Sequence, residues 1–250
     1  MIKTLSIGNS FSQDSTAYLH DMALCAGIDT KIVNLYIGGC SLSTHWDNAK
    51  NDKANYSYEL NGKSTSRVVS IRETLGEDKW DFVTLQQSSP LSGFEKSYYP
   101  YVTDLSAYIK KYAFGATQLI HETWNFEPGS THPKFVDYGN DSSTMYRAVS
   151  TTYRKVAASL GLGIIPCGDV LWLLQNMKEF DSFKGGQSLY RDGFHLHLIY
   201  GRYTAAATFY ETMLKGNIQK NPFRPAGTQS NKDSKLFSLI SQTVHHVCSE

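Results

Sequence analysis

Charge is scarce and evenly split. Lys and Arg number 24, Asp and Glu number 23, and charged residues make up 19% of the chain, against an average of about 25%. There is no basic block and no acidic tail, so nucleic acid and membrane surfaces are not favoured partners. Cysteine is equally thin. Cys25, Cys40, Cys167 and Cys248 lie far apart and form no CxxC pair. That argues against a zinc site and a disulfide framework, and for buried free thiols. No apolar run is long enough to span a bilayer. Met1 leads straight into a strand-like stretch without the regions of a signal peptide, which predicts a cytoplasmic protein, or a secreted one if a leader has been trimmed. The Gly-x4-Gly-Lys-Ser/Thr phosphate loop is missing, which disfavours nucleoside triphosphate hydrolysis. No repeat or low-complexity segment occurs.

What is present suits one large domain spanning 1–250. The chain is long enough for one sizeable core, and 41% of it is hydrophobic. Its 16 tyrosines beside so few charges lean towards polar, uncharged ligands such as sugars. The apolar stretch 2–7 reads as a strand. After it, Leu19, Met22, Ala23 and Ala26 recur at helical spacing, which predicts a helix over 15–26, capped by Ser12, with Asp14 complementing its dipole. A second strand over 31–37 ends in Gly38-Gly39. Residues 43–66 are polar and read as an insertion on the carboxyl edge of the sheet. Within it, 56–60 followed by Asn61-Gly62 is a hairpin signal. Further strands are expected over 81–85, 115–120 and 162–166, separated by helices near 68–75, after Pro100 and over 145–160. Later helices follow near 170–177 and over 203–214. The core is expected to end near residue 216, with a helical tail over 217–250. Five strands alternating with helices predict an α/β fold, a doubly wound, mostly parallel five-stranded sheet of flavodoxin-like type.

Such a sheet gathers its long loops at the carboxyl edge, where α/β folds bind ligands. Gly8-Asn9-Ser10-Phe11 places one serine there, beside a helix N-terminus that favours negative charge. Gly38-Gly39, Gln86-Gln87-Ser88, and His121 with Trp124 come from the next strand ends. Late in the chain, Arg191-Asp192-Gly193-Phe194-His195-Leu196-His197 sets an aspartate three residues before a histidine across a glycine-containing turn. That spacing lets the carboxylate hold imidazole Nδ1 while Nε2 points outward, as Ser–His–Asp catalysis requires.

Together these blocks resemble the SGNH, or GDSL-like, hydrolase superfamily, and the Gly-Asn-Ser-Phe form is similar to an uncharacterised bacterial subgroup of it. Gly8-Asn9-Ser10-Phe11 resembles the block that bears the nucleophile. Asn34-Leu35-Tyr36-Ile37-Gly38-Gly39 resembles the block whose glycine lends an N–H to the oxyanion hole, and Gly39 is the best match. Asp192-Gly193-Phe194-His195 resembles the block supplying base and orienting acid. The resemblance spans about 1–216 and implies a three-layer sandwich and an ester hydrolase with Ser10, His195 and Asp192 as triad. It implies small acyl groups, such as acetyl esters on carbohydrates, and no cofactor or metal. The third block departs from the pattern. Its usual asparagine is missing, and Gln87 is the candidate donor, with Gln86 and Ser88 as alternatives. The oxyanion hole is thus expected from Ser10, Gly39 and Gln87. Asn9, Trp124 and His197 are candidate substrate contacts, with packing the equal alternative for Trp124. His195 and His197 as a metal pair lack a third ligand, and His121-Glu122 reads as a satisfied polar pair. An acyltransferase with the same triad and a non-catalytic sugar-binding module are the rival readings.

Overall fold

The structure, a computed structural model, describes residues 1–249. In chain order it contains β1 (Ile2–Gly8), α1 (Ser10–Thr16), α2 (Leu19–Cys25), β2 (Thr30–Tyr36), α3 (Leu42–Lys50), β3 (Tyr56–Leu60), β4 (Lys63–Val69), α4 (Ile71–Glu77), β5 (Phe82–Leu85), α5 (Tyr101–Tyr112), β6 (Thr117–His121), α6 (Ser142–Leu160), β7 (Gly163–Ile165), α7 (Cys167–Gln175), α8 (Tyr200–Leu214) and α9 (Asn231–Ser249). One sheet runs in the order β4-β3-β2-β1-β5-β6-β7. The five expected strands form its parallel part.

The sheet is larger than the sequence suggested. The Asn61-Gly62 hairpin does not stand apart at the carboxyl edge. β3 pairs antiparallel with β2 and β4 with β3, which makes a seven-stranded mixed sheet. The turn has φ of 52° at Asn61 and 75° at Gly62, as a two-residue hairpin turn with both φ positive requires. Asn61 also pairs with β2, donating its N–H to the Ile32 carbonyl and accepting the Ile32 N–H on Oδ1. Periodicity missed α3 because its residues are mostly polar. The helix is fixed by Ser41, whose hydroxyl accepts the Thr44 N–H, and by Leu42 and Ala49, both buried.

The predicted first helix is also corrected. It splits into α1 and α2, and α1 starts five residues early. Its cap is Asn9, whose side chain accepts the Phe11 N–H, rather than Ser12. Ser10 is therefore the first helical residue, at the mouth of the helix. The parallel strands follow the order β2-β1-β5-β6-β7, so connections from β1 and β5 leave in opposite directions. An open crevice at the carboxyl ends of those two strands is the topological switch point where α/β sheets bind ligands. Ser10 follows β1 directly.

Helices cover both faces of the sheet. α1, α2 and α8 pack together, α9 packs on α7 and α8, and α3, α4 and α5 form a separate group. The tail is held by buried Leu236, Phe237, Ile240 and Val244 of α9. No helix among the described residues is long and apolar enough to cross a membrane.

His121 and Glu122 are not a mutual pair. His121 faces Gln86 and Ser15. Glu122 is buried, with one carboxylate oxygen, Oε1, lacking any partner among the described residues. Burial, reinforced by the charge of Asp169 and partly offset by Arg154, pushes its pKa up to about 8. Between the ordinary glutamate range and pH 8 the folded state then holds a proton that the unfolded state has lost. Stability should fall as pH rises through that window, by at most about 1.4 kcal/mol per pH unit. Glu122→Gln is expected to flatten this slope, as measured by urea denaturation at pH 5 and pH 8.

Candidate active site

Ser10, His195 and Asp192 meet at the switch point. Ser10 Oγ lies 3.0 Å from His195 Nε2, and His195 Nδ1 lies 2.7 Å from Asp192 Oδ2. The second Asp192 oxygen accepts the backbone N–H groups of Phe194 and His195 at 3.2 and 2.8 Å. Partial burial pushes the Asp192 pKa up. The bonds from the His195 ring and from the two backbone N–H groups outweigh it, and the net position is below the usual carboxylate value. An ionised Asp192 fixes the proton of neutral His195 on Nδ1 and leaves Nε2 as an acceptor facing the serine hydroxyl. Gly193 has φ of 86°, a backbone that side chains rarely adopt and that closes the tight Asp192–His195 turn.

The turn reaches Ser10 across 185 residues of sequence because of Asp14. Its side chain is fully buried on α1, one turn beyond Ser10. It accepts two contacts from Arg191 at 2.9 and 3.1 Å, Arg202 Nε at 2.8 Å and the Leu196 N–H at 3.0 Å. Both flanks of the Asp192–His195 turn are thereby tied to the helix that carries the serine. Asp14 does far more than complement a dipole. Two signals could have exposed it: it stands at i+4 from Ser10, on the same helix face, and an arginine immediately precedes Asp192.

A pocket of about 300 Å³ opens over this chain. It is lined by Asn9, Ser10, Phe11, Tyr36, Gly38, Gly39, Ser89, Pro90, His132, Phe194 and His195. Gly39 has φ of 64°, so a side chain there would be strained. The N–H groups of Gly38 and Gly39 make no hydrogen bond within the described residues. The Ser10 N–H, at the first position of α1, has no helical partner. A helix N-terminus and a glycine loop thus present free donors to one side of Ser10.

Gln87 sits otherwise than expected, and Asn9, Trp124 and His197 are each held by contacts within the protein. Gln87 is fully buried and its amide is spent. Oε1 accepts the Leu42 and Ser88 N–H groups, and Nε2 donates to the carbonyl and hydroxyl of Ser97. It braces the chain after β5 and lends the pocket no donor. Asn9 borders the pocket, as expected of a candidate contact, with most of its amide engaged by the protein. Nδ2 donates to the Cys40 carbonyl at 3.0 Å, and Oδ1 accepts the Phe11 N–H and the Gln86 amide. Gln86 in turn accepts from His121 Nδ1 at 2.6 Å, where burial pushes the His121 pKa down to about 3 and keeps the ring neutral. Trp124 is wholly buried. It stacks on Phe11 at 4.1 Å and 4°, and its indole N–H donates to the Phe194 carbonyl. His197 lies outside the pocket lining and accepts the Ile199 and Tyr200 N–H groups on Nδ1 at the start of α8.

Sequence reading also missed His132 and Phe194. Phe194 lies inside the motif, between the aspartate and the histidine. His132 sits in the long loop 125–141, and loop length was its one signal. No cluster able to hold a metal ion occurs among the described residues.

Residues 3–243 match the family described as "Domain of unknown function (DUF4886)". The chain belongs to that family. A DUF4886 family protein from Bacteroides uniformis ATCC 8492 has a crystal structure with a TM-score of 0.88 and 34% identity, covering 98% of this chain and 94% of that one. More distant likeness extends to a member of the lipolytic protein G-D-S-L family from Veillonella parvula DSM 2008, with a TM-score of 0.52 and 15% identity over 86% of this chain and 100% of that one. It extends also to an acetylxylan esterase, Axe2, from Geobacillus stearothermophilus, with a TM-score of 0.53 and 12% identity over 84% of this chain and 93% of that one. These two share the fold of this DUF4886 protein. Among curated proteins no sequence matches the chain.

Removing Asp14 strands two arginines and an N–H. Because Arg191 and Arg202 keep 29% and 24% side-chain exposure, the cost should fall near the low end for a broken buried pair, about 3 kcal/mol. Urea denaturation of Asp14→Ala should show that loss.

Proposed function

We propose that this DUF4886 protein is a serine ester hydrolase of SGNH type that removes a small acyl group, such as acetyl, from a carbohydrate or a similar neutral alcohol. The observation that carries the reading is the unbroken chain from Ser10 Oγ through the His195 ring to Asp192, at 3.0 and 2.7 Å. The pocket supports the substrate class. At about 300 Å³ it suits a short acyl chain, and no lysine, arginine, aspartate or glutamate lines it, so a charged acyl group would find no counter-charge there.

In this mechanism His195 Nε2 takes the Ser10 proton as Oγ adds to the ester carbonyl carbon. The carbonyl π pair moves to oxygen, and Asp192 stabilises the imidazolium. The oxyanion is held by the Ser10 N–H at the start of α1, where the helix dipole adds its positive end, and by the Gly39 N–H. The tetrahedral adduct collapses, His195 returns the proton to the departing alkoxide, and the alcohol leaves an acyl-Ser10. Water, deprotonated by His195, then cleaves the acyl-enzyme to carboxylate and restores the serine. Asn9 serves both donors at once, because its side chain caps α1 and anchors the glycine loop through Cys40.

The rival sugar-binding module would not need a serine hydroxyl aligned on a histidine that is itself held by an acid. A fluorophosphonate probe should label Ser10 in the native protein. Ser10→Ala should abolish labelling and lower kcat on p-nitrophenyl acetate by at least about 10³-fold. Unchanged turnover in Ser10→Ala would overturn the nucleophile assignment. Acyl products formed with added alcohols would mark the enzyme as a transferase.

A further inference from the structure

The loop 125–141 crosses the triad turn and is strapped to it, with the Glu127 N–H donating to the Gly193 carbonyl at 2.8 Å. His132 sits in this loop and lines the pocket with Ser10 and His195. Its ring packs against two phenylalanines that also touch each other, 4.4 Å from Phe126 and 4.8 Å from Phe194, and the Phe194 ring is 4.2 Å from His195. Pro133 holds His132 extended, with φ −61° and ψ 125°. The Lys134 N–H donates to His132 Nδ1 at 3.1 Å. That nitrogen is therefore unprotonated, and a neutral ring carries its proton on Nε2. Burial, joined by the nearby His195, holds the His132 pKa below its ordinary value, which favours the neutral ring. The ring presents one fixed N–H with no hydrogen-bond partner among the described residues.

The side of the pocket matters. In a serine hydrolase the general base returns its proton to the leaving oxygen, so the alcohol departs along the base. The oxyanion lies across from it, at the helix and glycine donors. His132 and Phe194 flank His195, and so border the alcohol.

We propose that His132 is a specificity-determining residue that reads the alcohol half of the ester, donating its Nε2–H to a hydroxyl or ring oxygen of a carbohydrate while Phe194 meets the sugar's C–H surface. This rests on the hydrolase reading above. A p-nitrophenyl leaving group carries only weak nitro acceptors at the far end of its ring, whereas a sugar offers several hydroxyl and ring oxygens close to the ester.

The test compares wild type, His132→Phe and His132→Gln on p-nitrophenyl acetate and on mono-O-acetylated xylobiose. Phenylalanine keeps a ring against Phe126 and Phe194 and removes the ring nitrogens. His132→Phe should lose about 10-fold in kcat/KM on the acetylated sugar, mainly through KM, and less than about 2-fold on p-nitrophenyl acetate. His132→Gln, with an amide N–H of similar reach, should recover part of the loss. Equal losses on both esters would mark a packing role and overturn the proposal, and so would no loss on either. A wild type active on p-nitrophenyl acetate but inert on the acetylated sugar would overturn it while leaving the hydrolase reading intact. A wild type inert on both would sink the hydrolase reading and this inference with it.

Discussion

One buried carboxylate holds the candidate site together. Asp14 is fully enclosed, and an isolated charge there would be costly. It is tolerated because two arginines and a backbone N–H converge on it. Those partners come from both sides of the Asp192–His195 turn and from α8. The carboxylate's need for compensation is thus the force that brings a late turn against an early helix. Ser10 and Asp14 ride the same short helix one turn apart, so the clamp and Ser10 cannot move independently. Catalytic geometry tolerates errors of only about half an ångström, and a rigid link of this kind suits that demand.

Asn9 plays the matching part on the oxyanion side. It has one amide and three partners: the first turn of α1, the glycine loop after β2, and Gln86 after β5. The end of β5 is fixed in its turn by neutral His121 behind Gln86 and by the spent amide of Gln87. Such a fully satisfied buried network specifies one arrangement, because any shift would leave a desolvated polar atom unpaired. The donors around Ser10 are therefore set before substrate arrives, which is where electrostatic stabilisation gains most. The two glutamines after β5, Gln86 and Gln87, build this frame and do not line the pocket.

Aromatic packing completes the frame. Trp124 stacks flat on Phe11, next to Ser10, and binds the Phe194 carbonyl, next to His195. One buried side chain thus touches the chain neighbours of both Ser10 and His195. Burial of an indole with its N–H satisfied is favourable in itself, so the positioning carries no separate cost. The pocket that remains is small, uncharged and partly aromatic.

The sequence by itself determined the alternation of strands and helices, the serine at the first strand's end, the Asp-x-x-His turn and the Asn61-Gly62 hairpin turn. Each is a local signal: a hydrophobic period, a glycine where φ must be positive, or two residues three apart whose side chains must meet. It did not determine that the hairpin would extend the sheet to seven strands, since strand pairing joins distant residues. It did not reveal polar α3, whose stability comes from a cap and a few buried contacts. It left open the settings of Gln87, Asn9, Trp124 and His197, because an amide, indole or imidazole reads the same whether it faces a ligand or a backbone carbonyl. Only the tertiary structure decided that Asp14 would meet Arg191 and Arg202, and that His132 would stand beside His195. The physical reason is that a buried polar group is defined by its partners, and those partners lie as many as 188 residues away along the chain.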